Sequence, residues 1–333
     1  CEYISRNREM RQSMAGTKIN RDSEKTEPSF KSGGPEDKTG RKQDFTQGNI
    51  VKQIVAFTLP LIASSLLQAL YNMVDMVIAG RFAGPSAISA INNSSQILVI
   101  ITKIAIGITT GGCVLIAQFY GGKEDRSREE AAGTLVSLSA VLGIAFSVIL
   151  AASSGGILRI LQAPAYDEAV LYLRICSAGM FFVYIYNAFS SMLRAVGDSR
   201  TPMRIVIATT ILNAVLDLVF VAGFGMGVAG AAWATVIAQV LSALLSLAAI
   251  MKEKELIRFT REFLRIRMGM LKQTLKVGIP SAVQMTIAGF SWLLVTFLIN
   301  RYGTDVSAGN GVAIKIKDLC QLLIKIGRAS CRE

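Results

Sequence analysis

The apolar residues of this chain collect in long blocks that short polar segments separate. Each block is about as long as the roughly 20 residues that a helix needs to cross the hydrocarbon core of a bilayer. Strands of a membrane barrel would be shorter and would alternate apolar with polar residues. The pattern therefore predicts an all-α polytopic membrane protein. The predicted spans are 53–80, 86–119, 131–152, 169–193, 203–224, 228–250, 275–300 and, less clearly apolar, 308–326.

The first and seventh predicted spans share residues at a separation of 220 positions. The matching pairs are Lys52 with Lys272, Gln53 with Gln273, Pro60 with Pro280 and Arg81 with Arg301. Because six spans separate the two copies, both cross the membrane in the same direction, as in a parallel repeat. We therefore predict a six-helix N-terminal lobe followed by the first two helices of a second six-helix lobe. We also expect that the sequence is part of a longer chain.

The same pattern divides the chain into five segments. Residues 1–49 are polar and charged and are predicted to form a disordered cytoplasmic tail. Residues 50–251 form the N-terminal lobe, 252–270 a basic cytoplasmic linker and 271–325 the incomplete start of the second lobe. The final segment, 326–333 (IGRASCRE), interrupts an apolar stretch with charged residues. We interpret this segment as a translated sequencing adapter rather than part of the fold.

The distribution of charge supports the membrane prediction. Charged residues make up 17% of the chain, against about 25% in soluble domains. The net charge of +12 does not come from the tail, where ten Lys and Arg nearly balance eight Asp and Glu. It comes from every second loop, and the loops between carry one cation each (Arg81, Arg159, Arg301). The cations of the basic loops are Lys123, Arg126, Arg128, Arg194, Arg200, Arg204, Lys252, Lys254, Arg258, Arg261, Arg265, Arg267 and Lys272.

This alternation is typical of the positive-inside rule and places the N-terminus in the cytoplasm. We therefore expect a multi-pass protein of the plasma membrane, whose partners are membrane lipid and a small molecule. Nucleic-acid binding would need the cations to form one basic face, so we expect no nucleic-acid partner.

Residue usage limits the chemistry that the chain can perform. It contains no histidine, and its five cysteines lack the spacing of a metal site or a disulfide framework. No nucleophile with a base, no metal cluster and no phosphate-binding loop stands out. We therefore predict that the protein is not an enzyme and that it needs no cofactor or metal.

Two aspartates lie inside predicted spans, where charged groups are rare and are by default functional candidates. Asn213 and Asp217 are four residues apart and so share one helix face. The next span brings Thr235 to a similar depth. One alternative is that this pair only stabilises the helix bundle through a hydrogen bond between helices. An Asn or Ser could do that without burying a charge, which favours a functional role.

Asp75 ends a polar stripe along the first span. The stripe consists of Ser64, Gln68, Tyr71, Asn72 and Asp75. A stripe of this kind must face other helices or a water-filled cavity rather than lipid. The alternative is that Asp75 lies near the membrane surface and pairs with Arg81. The third charged residue, Lys103, could pair with a carboxylate or extend its amine towards the interface.

Removal from water disfavours the charged form of a carboxyl group. A buried aspartate can therefore take up a proton at neutral pH and release it when a cavity hydrates. In a chain without histidine, Asp75 and Asp217 are the residues that we expect to exchange protons.

Polar and aromatic side chains in the spans predict a cavity for an organic compound. Asn187 lies among aromatic residues of the fourth span. Aromatic and Met side chains suit bulky cations through cation–π contact and adaptable packing, although ordinary bundle packing explains any single one equally well. The residues that we predict to line the substrate cavity are Gln68, Tyr71, Asn72, Tyr184 and Gln284.

Several of these segments together resemble the multidrug and toxic compound extrusion family of secondary transporters. They are "PLIASSLLQALYNMVDMVIAGR", "LRAVGDSRTP" and "ILNAVLDLVFVAGFGMGVAGAAWATVIAQ". The resemblance implies two six-helix lobes around a central cavity and cation-coupled export by alternating access. It also implies a coupling site at the positions that correspond to Asp75, Asp217, Asn213, Thr235 and Asn187.

One difference from the family bears on the coupling ion. Another branch carries a carboxylate in the seventh span, where this chain has only Gln284 as a strongly polar residue. We therefore predict an antiporter that uses H⁺ rather than Na⁺, acts as a monomer at full length and exports amphipathic, cationic organic compounds. The alternative is a flippase for a lipid-linked sugar, whose cavity should carry several basic groups for a pyrophosphate. A receptor or scaffold would not need two aspartates within the membrane.

Overall fold

The computed structural model describes residues 50–252, 265–314 and 316–317, with the side chains of 50–65, 67–76, 79 and 288 left out. The predicted tail 1–49, most of the predicted linker 252–270 and the final segment 326–333 lie outside the described residues. The predicted eighth span, 308–326, lies mostly outside them as well.

Every regular element in the described part of the chain is helical. The elements are α1 (Ile50–Gly121), α2 (Asp125–Ile160), α3 (Tyr166–Ala195), α4 (Arg200–Asp217), a π-helix (Leu218–Gly223) that continues α4, α5 (Gly227–Lys252) and α6 (Met268–Asn300). A further helical stretch covers 304–314. The start of α6 falls inside the segment that was predicted as linker.

Helix α1 contains two predicted spans, 53–80 and 86–119, joined at one residue. Gly84 has φ 85° and ψ 179°, which lies outside the helical region. Two local causes act here: glycine tolerates a positive φ, and the following Pro85 disfavours helical geometry in the residue before it. We call 50–83 the first arm of α1 and 85–121 its second arm.

The two arms and α2 to α5 make up the six helices of the N-terminal lobe, and α6 with 304–314 begins the second lobe. The helical stretch resumes after Gly303, which has φ 96°. This break follows Arg301 much as the break at Gly84 follows Arg81, so the repeat extends to the connection between helices. Pro280 lies inside α6, at the position that corresponds to Pro60 in the helical first arm.

Six helices within the described residues are long and apolar enough to cross a membrane. They are Gly80–Gly121, Asp125–Ile160, Tyr166–Ala195, Arg200–Gly223, Gly227–Lys252 and Met268–Asn300. Each overlaps one of the spans predicted between 86 and 300. The protein is therefore an all-α, multi-pass membrane protein.

The helices pack as a bundle in which α1 contacts every other helix, α3 packs on α2 and α5, and α4 packs on α5. Small residues bring α6 against the second arm of α1. A Cβ atom at Gly107 would overlap the backbone of Ala282, and one at Gly278 would lie 3.0 Å from the Cα atom of Ile108. Such close approach is characteristic of helix pairs in membranes, where tight packing replaces the hydrophobic effect as the main source of association.

Contacts at both ends of the bundle show how its ends are arranged. At one end, the backbone N–H of Arg267 donates to Thr134 Oγ1 (3.2 Å), and its guanidinium lies 3.7 Å from Glu130. At the other end, Asn300 donates to the carbonyl of Leu161 (2.9 Å). The first contact lies at the end of the bundle where α2 begins, and the second lies where α2 ends. The described residues of the basic loops lie at the end of Arg267, since buried residues beside these loops pack in one cluster there: Leu115, Ala131, Val196 and Ile250.

Candidate functional site

The centre of the candidate site is a carboxylate buried between helices. Asp217 is the last residue of α4 and is 0% exposed. The side-chain N–H of Asn213, which is 6% exposed, donates to Asp217 Oδ2 across 3.3 Å. The spacing of four residues places the two side chains one above the other on the same helix face.

The backbone changes directly after Asp217. The π-helix Leu218–Gly223 replaces the α-helix at this point. A π-helical turn inserts an extra residue and is frequent at functional sites. A Cβ atom on Gly230 in α5 would lie 3.1 Å from the backbone of Phe220, so α5 packs tightly against the irregular turn and holds it in place. The residue pattern did not predict this turn, although the glycines that follow it were a possible signal.

Two other predicted residues lie on helices of the same bundle. Asn187 in α3 is buried, and its side-chain N–H donates to the carbonyl of Val183 (2.8 Å). Thr235 in α5 is half-buried and donates to the carbonyl of Ala231 (2.9 Å). Each of these two hydrogen bonds goes to a carbonyl group of the residue's own helix.

The polar stripe of the first arm cannot be placed against this pair. Its predicted members, Gln68, Tyr71, Asn72 and Asp75, lie outside the residues whose side chains are described. Their roles remain predictions.

The remaining predicted cavity residues lie in different surroundings. Tyr184 is 1% exposed, donates to the carbonyl of Ile101 (3.2 Å) and stacks on Phe146 with 5.6 Å between ring centroids. It thus packs in the core between the second arm of α1, α2 and α3. Gln284 is on an exposed face of α6. Lys103 is half-buried, and its amine would lie 3.7 Å from a Cβ atom on Gly289 of α6.

A second buried polar cluster was not predicted. Ser89 Oγ donates to Ser307 Oγ (3.0 Å), and the Asn93 amide donates to the same hydroxyl (3.2 Å). Ser307 in turn donates to Asn300 Oδ1 (2.9 Å). These contacts join the second arm of α1 to both helices of the second lobe at the end opposite the basic loops. The signal in the sequence was the polar run "NNSSQ" (92–96) inside an apolar helix.

Within the part of the chain that the structure describes, no group of three or more His, Cys, Asp or Glu side chains could hold a metal ion. The Asn213–Asp217 pair presents carboxylate and amide oxygens, which suit a proton or an alkali cation better than a transition metal.

Comparison with known proteins agrees with this architecture. The family model described as MatE matches residues 60–219. The chain is 29% identical over 289 residues to "Probable multidrug resistance protein YoeA" of Bacillus subtilis, covering 84% of this chain and 62% of the relative. It is 31% identical over 284 residues to "Probable multidrug resistance protein YpnP" of the same organism, covering 84% and 63%. The chain thus spans somewhat less than two thirds of the relatives that it matches.

The fold is similar to that of a solved transporter structure. The structure of the MATE multidrug transporter DinF-BH in complex with R6G aligns with a TM-score of 0.79 at 23% identity, over 85% of this chain and 64% of that one. At this level of identity the alignment supports the fold alone. The helical architecture, the family match and the two relatives together make the chain similar to transporters of the multidrug and toxic compound extrusion (MATE) family.

Proposed function

We propose that the protein exports amphipathic organic compounds by alternating access and that Asp217, with Asp75, carries the coupling ion. The observation that carries this proposal is the burial of the Asn213–Asp217 pair in a helix with no cation nearby along the sequence. A carboxylate in the membrane interior is costly and marks an ion pathway by default. The names of the relatives, multidrug resistance proteins, support export of organic compounds.

We propose H⁺ rather than Na⁺ as the coupling ion. A Na⁺ site would gain from further anionic oxygen ligands, whereas α6 contains no carboxylate and has Gln284 as the strongly polar residue near its middle. Protonation needs only the carboxylate and a path for water. The amide of Asn213 can donate to the charged form of Asp217 and can accept from the protonated form, so it holds the side chain in both states.

We propose a cationic substrate and a plasma-membrane location with the N-terminus in the cytoplasm. The orientation rests on the basic loops, which share one end of the bundle. The substrate class rests on the aromatic and Met residues of the spans and on the scarcity of cations among them.

The test uses the complete gene, expressed in cells that are loaded with a fluorescent organic cation. Efflux is followed for the wild type, Asp75→Asn and Asp217→Asn, with pH and sodium gradients imposed separately. Asp305→Asn is the matched control, since Asp305 is an exposed carboxylate next to the loop after α6. We expect the wild type and the control to extrude dye under a proton gradient and both other variants to fail while reaching the membrane normally.

Three other outcomes would each contradict a different part of the proposal: the role of Asp217, the coupling ion or the substrate. Efflux by Asp217→Asn at the wild-type rate would make the buried aspartate structural. Efflux that follows the sodium gradient alone would replace H⁺ with Na⁺. A wild type that moves no dye under either gradient would favour the flippase, although within the described part of the first lobe few cations (Lys103, Arg174 and Arg204) lie inside a predicted span.

A further inference from the structure

A cavity of about 270 Å³ lies where α3 ends and α4 begins, beside the last turn of α5. Its wall has two parts of different chemistry. One part is apolar and is formed by Leu193, Ile205, Ala208, Leu245, Ala248 and Ala249. The other part, here called the polar rim, carries Asp198, Thr201, Arg204 and Lys252. The cavity lies at the end of the bundle that holds the basic loops.

The charges of this rim do not cancel one another. Asp198 is buried, and its Oδ1 atom accepts hydrogen bonds from the backbone N–H groups of Arg200 (3.0 Å) and Thr201 (2.9 Å). This carboxylate therefore satisfies backbone N–H groups at the start of α4 and is oriented by them. Arg204 and Lys252 are exposed, and within the described residues neither forms an ion pair or a side-chain hydrogen bond. Two cations are thus available to an anion at the mouth of the cavity.

We propose that this cavity binds the headgroup of an anionic glycerophospholipid. Basic pockets between membrane helices on the cytoplasmic side suit such headgroups, because the cations meet the phosphate while apolar walls meet the glycerol and the upper acyl chains. A free phosphate would make no favourable contact with the six apolar residues of the lining. The exposed Ala208 and Ala248 provide an opening on the side of the helices.

The proposal rests on the orientation given under Proposed function, since anionic lipids are abundant in the cytoplasmic leaflet. It does not rest on transport, because lipid binding can be measured without a substrate or a gradient. A failure of dye efflux therefore leaves this proposal unaffected, and a failure of lipid binding leaves the coupling site unaffected.

The test measures lipid retention by the purified full chain in detergent, using native mass spectrometry with dioleoyl phosphatidylglycerol and dioleoyl phosphatidylcholine. Three double variants are compared. Arg204→Gln with Lys252→Gln removes both charges, and Arg204→Lys with Lys252→Arg keeps them. Lys123→Gln with Lys272→Gln removes two exposed cations at the same end, away from the cavity.

We expect the wild type to retain phosphatidylglycerol in preference to phosphatidylcholine. Each cation near an anionic surface contributes enough that losing both should weaken retention roughly thirtyfold. The charge-keeping variant and the distant control should retain the lipid as the wild type does. Weak lipid retention by the charge-keeping variant would mean that the charge of these side chains does not determine lipid binding. That result would overturn the proposal.

Three further results would also overturn it. The first is equal retention of the two lipids. The second is full retention of phosphatidylglycerol by Arg204→Gln with Lys252→Gln, which would mean that another surface holds the lipid. The third is displacement of the lipid by millimolar inorganic phosphate, which would make the cavity a site for a small anion.

Discussion

The side-chain amide of Asn300 donates a 2.7 Å hydrogen bond to the amide oxygen of Asn93, which lies 207 residues earlier in the chain. Both side chains are buried, at 4% and 0% exposure. The bond joins the end of α6, in the second lobe, to the second arm of α1, in the first. Because Asn300 also donates to Leu161 and accepts from Ser307, one amide links four separate segments at the end of the bundle opposite the basic loops.

Removing this link should destabilise the protein. Asn93→Ala leaves the Asn300 amide without one buried acceptor, and we expect a loss of about 1–2 kcal/mol in the free energy of unfolding. Denaturation of the purified protein in mixed micelles measures the loss. The control is Ser153→Ala, since Ser153 is half-buried and its hydroxyl donates to the carbonyl of Ile149 of its own helix. Equal stability of Asn93→Ala and the control would show that the cluster contributes no net stability.

The close packing of α6 on α1 predicts a contrast between two glycines. A Cβ atom at Gly107 would overlap Ala282, whereas nothing lies within 4 Å of one at Gly156 in α2. Gly107→Ala should therefore cost about 1–3 kcal/mol through overpacking, and Gly156→Ala should be neutral or stabilising by up to about 1 kcal/mol. The same unfolding assay compares them. If both variants are equally stable, α6 can move away from α1 at little cost.

The Asn213–Asp217 pair predicts that the two residues act together. Asn213→Ala should lower the initial rate of dye efflux about tenfold, because an interaction with a buried charge contributes about 1.5 kcal/mol or more. Because Asp217→Asn is expected to abolish efflux, the coupling of the pair is measured by unfolding in detergent. In the Asp217→Ala background, Asn213→Ala should cost little further free energy of unfolding, since the acceptor is already absent. Independent, additive losses in Asn213→Ala, Asp217→Ala and the double variant would show that the two side chains are not coupled.

The start of α4 predicts a third stability difference. Asp198 satisfies two backbone N–H groups at that helix end, and Asp198→Ala should cost about 1 kcal/mol. Asp198→Asn should recover most of this loss, because the amide oxygen can accept the same hydrogen bonds. Thermal unfolding in detergent measures both. If Asp198→Ala unfolds at the same temperature as the wild type, water or another side chain accepts these hydrogen bonds in place of the carboxylate.

Features that depend on neighbours along the chain could be predicted from the sequence. The break in α1 follows from Gly84, which tolerates a positive φ, and from Pro85, which disfavours helical geometry in the residue before it. The shared face of Asn213 and Asp217 follows from their spacing of four residues. The spans follow from the length of each apolar block, and the two-lobe repeat follows from matches at a separation of 220 residues. The breaks at Gly84 and Gly303 lie one residue off that separation.

Features that join distant parts of the chain could not be predicted in this way. Nothing local indicates that Asn93 meets Asn300, or that Tyr184 packs against Phe146 in the core. The π-helix after Asp217 depends on packing against Gly230 of the next helix. The cavity at Arg204 and Lys252 exists only because the ends of three helices converge.

The sequence by itself determined that this chain crosses a membrane several times as helices, which loops share one end and which carboxylates lie within the spans. Each of these depends on hydrophobicity, charge or helical periodicity, and those quantities are local. The tertiary structure alone decided which polar groups meet, because hydrogen bonds and close backbone approach act over a few ångströms between residues that can be 200 or more positions apart. The Asn213–Asp217 pair and the cavity at Arg204 and Lys252 depend on both sequence and tertiary structure. The sequence supplies the charged residues, and the packing of the helices determines their surroundings.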